Sequence, residues 1–298
     1  MISNPVNSKP SLAPDATIGA LLQGNALPRL EATILLAHAL HKSRESVLAH
    51  PESPVAAGEA AAYANLVGQR IAGVPIAYLT GTREFYGLLL RVTPDVLIPR
   101  PETELLVDWV LEQTEAASTA SILDLGTGSG AIAVALAHHR PATRVEAVDV
   151  SPEAVFVARA NAAAHGLHRI HIHRSDWYGE CSDAPYQIIV SNPPYVRARD
   201  PHLVEGDVRH EPEVALVSGD DGLTAIRTIV AGAPWRLAKG GWFAFEHGYD
   251  QAEPCRALMR AAGFSGVTTL RDLAGIERAC IGSWTEPGCA PRDGDPAR

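Results

Sequence analysis

From Ser121 onward the chain alternates short apolar, β-branched runs with longer stretches of helical spacing, and this alternation restricts the fold more than any other feature. Strands are expected at 121–125, 144–148, 170–173, 186–191, 242–246, 266–270 and 279–284, with helices between most of them. A strand that leads through a helix into another strand returns to the same sheet by a right-handed crossover, so the two strands lie parallel. The region therefore reads as α/β, with a mainly parallel, doubly wound sheet. Helices are marked by their breakers as well as by their spacing. No internal repeat is visible.

Residues 17–79 carry no strand signal. Leu30, Ile34, Leu35, Ala37 and Leu40 fall at helical spacing, and Ala56–Ile71 forms a second, alanine-rich helix. Gly73, Pro75 and Gly81 break the run, so residues 15–81 read as a small helical domain. Phe85–Val92 is β-like and turns near Pro94-Asp95 into Val96–Ile98, which makes residues 82–100 a hairpin linker. Pro101-Glu102-Thr103-Glu104 opens a helix, with proline in its first turn and acids at the positive end of the helix dipole. Residues 1–14 and 285–298 are rich in Pro, Gly and small polar or charged residues and read as disordered tails.

With 298 residues the chain has room for one large domain or two smaller ones. Its net charge of −9 supplies no global basic field, which argues against stable nucleic-acid binding. Cys181, Cys255, Cys280 and Cys289 form no CxxC pair and read as reduced thiols of a cytoplasmic protein. No run is long enough to span a bilayer, and no signal-peptide pattern opens the chain. Nothing in the sequence argues for an oligomer, so a monomer is the expectation.

Two loops carry chemistry. Strand 121–125 runs into Asp124-Leu125-Gly126-Thr127-Gly128-Ser129-Gly130 and straight on into helix 131–138. The glycines permit a tight turn and close approach of a ligand to backbone, with GxGxG spacing and not the GxGxxG of dinucleotide binders. Asp149 ends the next strand, placed to accept both hydroxyls of an adenosine ribose. The plainer alternative is a tight turn plus an aspartate capping the helix that starts at Pro152. The second loop, Asn192-Pro193-Pro194-Tyr195, follows the apolar run Tyr186–Ser191. Its prolines end the strand and stiffen the loop, holding one carboxamide at the carboxyl end of a central strand, where open α/β sheets place ligands. Taken alone, it is also a Pro-Pro turn capped by asparagine.

In order, these features resemble the class I S-adenosylmethionine-dependent methyltransferases: glycine-rich loop after strand one, ribose acid after strand two, catalytic loop after strand four. The resemblance implies a Rossmann-like fold with a mostly parallel seven-stranded sheet, here preceded by a small all-α domain and a β-hairpin. It places Asp124, Gly126, Thr127, Gly128, Ser129, Gly130 and Asp149 at the cofactor. Ser175-Asp176-Trp177 matches the adenine flank, with Asp176 as an acceptor and Trp177 as an aromatic wall. NPPY resembles the subset that methylates planar nitrogens of adenine, cytosine or glutamine. There the Asn192 oxygen and the Pro193 carbonyl would each accept one N–H of the substrate amide, and Tyr195 would pack on its flat face.

Longer blocks narrow the match. Pro75–Gly81, Arg83–Tyr86, Leu97–Glu104, Asp200–Leu203, Gly206–Arg209 and Glu211-Pro212 resemble the HemK-type peptide-chain release factor glutamine methyltransferases over roughly residues 17–284. The implied partner is a class 1 release factor, methylated on the glutamine of its Gly-Gly-Gln motif. The implied substrate residues are Asn192, Pro193, Pro194, Tyr195, Arg100 and Phe85, with Asn192, Pro193 and Tyr195 catalytic and Asn192 also touching cofactor. Rival readings are a ribosomal-protein glutamine methyltransferase, a DNA adenine N6-methyltransferase, and a cofactor-binding regulator on a retired fold. Glu246-His247 reads as structural or as support behind the site. His165, His168, His171 and His173 cluster in sequence, but no Cys or acid stands at metal-site spacing beside them, so no metal is expected.

Overall fold

The computed structural model describes residues 16–24 and 26–285, so the expected tails, residues 1–14 and all but Thr285 of 285–298, lie outside the described residues. The chain divides into two compact units, the first ending at Thr80 and the second beginning at Gly81.

The first unit is helical: α1 (Ile18–Gln23), α2 (Arg29–Ala39), α3 (Arg44–Ala49), α4 (Ala57–Ile71) and α5 (Ile76–Thr80). Caps start two of them, the Thr17 hydroxyl accepting from the Ala20 N–H and the Ser43 hydroxyl from the Ser46 N–H. Ala32, Leu35, Leu36 and Leu40 of α2 and its C-cap meet Ile18, Val47, Val55 and Tyr63 in a core of their own. Leu30 has the right spacing but sits in the first turn of α2 and is 62% exposed.

The second unit opens with a hairpin, β1 (Thr82–Phe85) and β2 (Leu88–Arg91). Its turn is the pair Tyr86-Gly87, both at positive φ, and not Pro94-Asp95 as the sequence indicates. Pro-Asp carries the stronger turn signal, but the tertiary partners decide: the Tyr86 N–H donates to Glu104 and its hydroxyl to Asp108, both on α6 (Glu104–Gln113). Val96–Ile98 is loop.

There follow β3 (Ser121–Leu125), α7 (Ala131–His139), β4 (Arg144–Asp149), α8 (Pro152–Ala164), β5 (His171–Arg174) and β6 (Tyr186–Ser191). The chain ends with α9 (Thr224–Arg236), β7 (Leu237–Glu246), α10 (Ala252–Ala261), β8 (Ser265–Arg271) and β9 (Glu277–Trp284). The seven strands run in the order β5-β4-β3-β6-β7-β9-β8, parallel except where β9 pairs antiparallel with β7 and β8. Alternate side chains of β3 face opposite ways, Ile122 into a core with α6, α7 and α8, Leu123 and Leu125 into one with α9 and α10. The sheet is thus covered on both faces, as the alternation in sequence requires. Between β3 and β6 the winding reverses, and a crevice opens at the carboxyl ends of the strands.

Asn161 of α8, 2% exposed, joins three segments there. Its Oδ1 accepts from the Arg91 N–H at 2.7 Å, and its Nδ2 donates to the carbonyls of Arg91 and Ser129 at 2.9 and 2.8 Å. One side chain therefore ties the hairpin and the glycine-rich loop to the same helix. Replacing it by alanine leaves those backbone groups without partners, at about 1–3 kcal/mol. Asn161→Ala should lower the denaturant midpoint accordingly without changing the slope of the unfolding transition.

Candidate active site

Two cavities adjoin at the crevice. The larger, about 380 Å³, is lined by the glycine-rich loop Gly126–Ser129, by Asp149 and Val150 at the end of β4, and by Asp176 and Trp177 beyond β5. Arg100, Thr103, Asn192, Pro194 and the segment Val217–Gly219 close it. Gly128 has φ +56°, and no protein atom lies within 4 Å of where its Cβ would stand, so a side chain there would project into free space. The Asp149 carboxylate accepts from the Gly128 N–H at 2.8 Å and the Ser151 N–H at 2.9 Å, which shapes the loop and leaves each oxygen a further lone pair. Burial pushes its pKa up and those N–H groups pull it back. Trp177 is held at φ +48°, its carbonyl taking the buried Ser175 hydroxyl at 2.8 Å. A flat wall, an acceptor carboxylate and an open backbone cradle fit an adenosine-bearing cofactor.

The second cavity, about 330 Å³, is lined by Pro193, Tyr195, Val196, Glu246 and Arg278, with His202, Leu203 and Val208 at its far side. Leu97, Arg100, Asn192 and Ala215 line both cavities, so the Asn192 carboxamide stands where the two meet. Buried carboxylates hold this region. Glu211 accepts from the Arg100 guanidinium at 2.5 Å and from the Ile98 N–H at 3.3 Å, binding the loop after the hairpin to the segment after NPPY. Glu246, 3% exposed at the end of β7, accepts from the Thr103 hydroxyl at 2.6 Å and the Tyr195 hydroxyl at 3.0 Å. Asn192 Nδ2 in turn donates to Thr103 Oγ1 at 3.0 Å. Burial, then the Glu246 charge, pushes the Tyr195 phenol well above its usual range, so it stays a donor. Gln251 Nε2 donates to the Tyr195 carbonyl at 3.0 Å, and a Cβ on Gly222 would stand 2.3 Å from that same oxygen. Only glycine permits that approach.

The structure gathers Gly126, Thr127, Gly128, Ser129, Asp149, Asp176, Trp177, Asn192, Pro193, Pro194, Tyr195 and Arg100 around the two cavities. Gly130 lies just behind, as the left-handed cap of α7. Phe85 and Asp124 are not brought to the walls either. Phe85 is 1% exposed in the core against α6 and α7, because the turn at Tyr86-Gly87 aims it inward with Leu88. Asp124 is 1% exposed beneath the loop, its Oδ2 accepting from the Thr127 hydroxyl at 2.6 Å and the Ala133 N–H at 3.2 Å. Thr103 lies in the Ile98–Glu104 loop that the resemblance places near the active site, though nothing in the sequence singles it out, and Gln251 belongs to no motif with a chemical signature. An acid does stand by the histidines: Glu146 pairs across the strand with His171, 3.6 Å from His173 Nε2. Spacing along one strand cannot reveal a neighbour on the next. The Glu146 oxygens accept from the Ser182 N–H and the Tyr186 hydroxyl, and His173 Nε2 lies 3.0 Å from the Glu180 carbonyl.

A seven-stranded sheet with this order, a glycine-rich loop after its first strand and an acid after its second define a class I methyltransferase. A methyltransferase from Pyrococcus furiosus matches the fold with a TM-score of 0.52 at 16% identity, over 75% of this chain and 100% of its own. Residues 101–210 match the methyltransferase small domain, and residues 17–81 the PrmC N-terminal domain. The release factor glutamine methyltransferase of Burkholderia pseudomallei is 50% identical over 92% of this chain and 98% of its own length. That of Bordetella pertussis is 49% identical over 87% and 96%. The chain belongs to the release factor glutamine methyltransferase family.

Burial pushes the Asp124 pKa up to about 7, against about 3.9 in an unfolded chain. The native state then binds more protons than the unfolded state between these values, so stability falls as pH rises through that window. Asparagine keeps the acceptor and cannot ionise. Asp124→Asn should gain stability over wild type at pH 8 and not at pH 4, read from denaturation midpoints at both.

Proposed function

We propose that the chain transfers a methyl group from S-adenosylmethionine to the side-chain amide nitrogen of the glutamine in the Gly-Gly-Gln motif of a class 1 peptide-chain release factor. The observation that carries this reading is the Asn192 carboxamide on the wall shared by both cavities. The names of the relatives point the same way. Gly126–Ser129, Asp149, Asp176 and Trp177 hold the cofactor, with Gly130 and Asp124 bracing the loop from behind and below. S-adenosylmethionine supplies an electrophilic methyl when bound.

An amide nitrogen is a weak nucleophile because its lone pair is delocalised into the carbonyl. Asn192 Oδ1 and the Pro193 carbonyl each accept one of its N–H groups, which turns the nitrogen toward the cofactor cavity. Orientation then supplies much of the rate. Tyr195 and Pro194 confine the flat group, and Arg100 stands at the junction. No strong base is required, since the proton becomes acidic once the methyl is attached. Burial raises the Cys181 and Cys280 thiols to about 12, keeping them protonated and inert. Among the described residues no helix is long and apolar enough to cross a membrane.

Incubation of the chain with tritiated cofactor and purified release factor, ribosomal protein or duplex DNA tests the substrate. Label should enter the release factor, on the Gly-Gly-Gln peptide by mass spectrometry; label in either other substrate alone overturns the reading. Asn192→Ala should cut turnover at least about a hundredfold, with cofactor affinity unchanged within about threefold. The helical unit has a core of its own, which suits a role in gripping the partner's body. A chain lacking residues 1–80 should lose release-factor affinity by far more than cofactor affinity in calorimetric titration.

A further inference from the structure

A carboxamide fits its space in two orientations that exchange oxygen for nitrogen. Only one of them offers Asn192 Oδ1 to a substrate N–H; the other offers a second donor, which repels it. Two prolines stiffen the loop but do not choose between them. The groups around Asn192 do.

We propose that Glu246, acting through the Thr103 hydroxyl, is the positioning residue that fixes which way the Asn192 carboxamide faces. The inference rests on the methyl-transfer reading above. An ionised carboxylate only accepts hydrogen bonds. The Thr103 hydroxyl donates to Glu246 Oε2 at 2.6 Å, and the Tyr195 hydroxyl donates to Oε1 at 3.0 Å. Thr103 has then spent its one proton and can only accept. It accepts from Asn192 Nδ2 at 3.0 Å, so Asn192 Oδ1 is turned away from Thr103 and left for the substrate amide. The direction of every bond in the relay follows from the charge at its far end. Thr103 is 4% exposed and Glu246 3% exposed, so water competes little for these bonds.

Protonated Glu246 would have to donate to one of its two hydroxyl partners, which sets donor against donor and frees Thr103 to bond the Asn192 oxygen instead. Thr103, Tyr195, Glu102 and Arg278 face this carboxyl; Arg278 is itself paired with Asp272 at 2.9 Å, and Arg100, near Tyr195, with Glu211. Burial raises the Glu246 pKa above the ordinary glutamate value, the two hydroxyl donors opposing it. The relay is therefore intact above that raised pKa and lost as pH falls through it.

Thr103→Val keeps the shape and removes the hydroxyl, while Thr103→Ser keeps the hydroxyl. Each is assayed on intact release factor for kcat and KM, with cofactor affinity by calorimetry and melting temperature as controls. Thr103→Val should lose at least about tenfold in kcat, the effect of roughly one hydrogen bond, with cofactor affinity held. Its melting temperature should fall as Glu246 loses a buried donor and Asn192 an acceptor, and Thr103→Ser should restore it. Thr103→Ser should return to within about threefold of wild type. Glu246→Gln can still accept from Thr103 through its oxygen but cannot titrate, so the acid limb of the wild-type kcat profile should flatten. A valine variant within about threefold of wild type overturns the proposal, as does a serine variant as impaired as valine. A fall in cofactor affinity that accounts for the lost rate, or an unchanged acid limb in Glu246→Gln, also overturns it. A wild-type chain inert on release factor, by contrast, sinks the methyl-transfer reading itself.

Discussion

Parallel pairing of β3 with β4 on one side and β6 on the other is the constraint on which the rest of the second unit depends. Because the chain winds outward from β3 to β5 and then returns to β6, the loops after these strands diverge to opposite faces. The gap between them is a crevice. The glycine-rich loop, Asp149, Trp177 and the NPPY loop all leave the sheet at this edge, so residues distant in sequence meet without any strand being distorted to bring them there. The apolar layers on either face, α6 to α8 against one and α9 and α10 against the other, fix the strand register that sets those exits.

On that edge the packing is polar and buried, and it is stable only because its donors and acceptors are matched. Glu211 holds the loop bearing Arg100, Glu246 gathers Thr103 and Tyr195, and Gln251 ties the Tyr195 carbonyl to the Gly248 N–H. Each of these side chains serves two segments at once. The consequence is a rigid site in which a side-chain amide has a defined orientation before any substrate arrives, which lowers the ordering cost of binding.

How much of this could be read beforehand depended on distance along the chain. The strands, the glycine-rich turn, Asp149 and NPPY were legible because each has a local pattern whose period or breakers have physical meaning. Strand ends shifted by a few residues, and β7 begins at Leu237, before the expected 242. The hairpin turn moved from Pro94-Asp95 to Tyr86-Gly87 because Glu104 and Asp108 hold Tyr86, and a local turn propensity is worth less than those bonds. That shift also carried Phe85 into the core. Glu146 beside His171 and His173, Asn161 beside Arg91 and Ser129, and Thr103 beside Asn192 were invisible for one reason: each pairing joins elements through the fold, with no local signature.

The amino-acid sequence alone determined the class of fold and the two chemical loops, because periodicity, proline and glycine act over a few residues; the kind of reaction came from the resemblance of those loops to known methyltransferases. The tertiary structure alone decided which buried acids face which hydroxyls, that Asp124 braces the cofactor loop from beneath, and which way the Asn192 carboxamide points. Those outcomes rest on hydrogen bonds between groups as far apart as Thr103 and Glu246, and direction in such a relay is set only when both ends are in place.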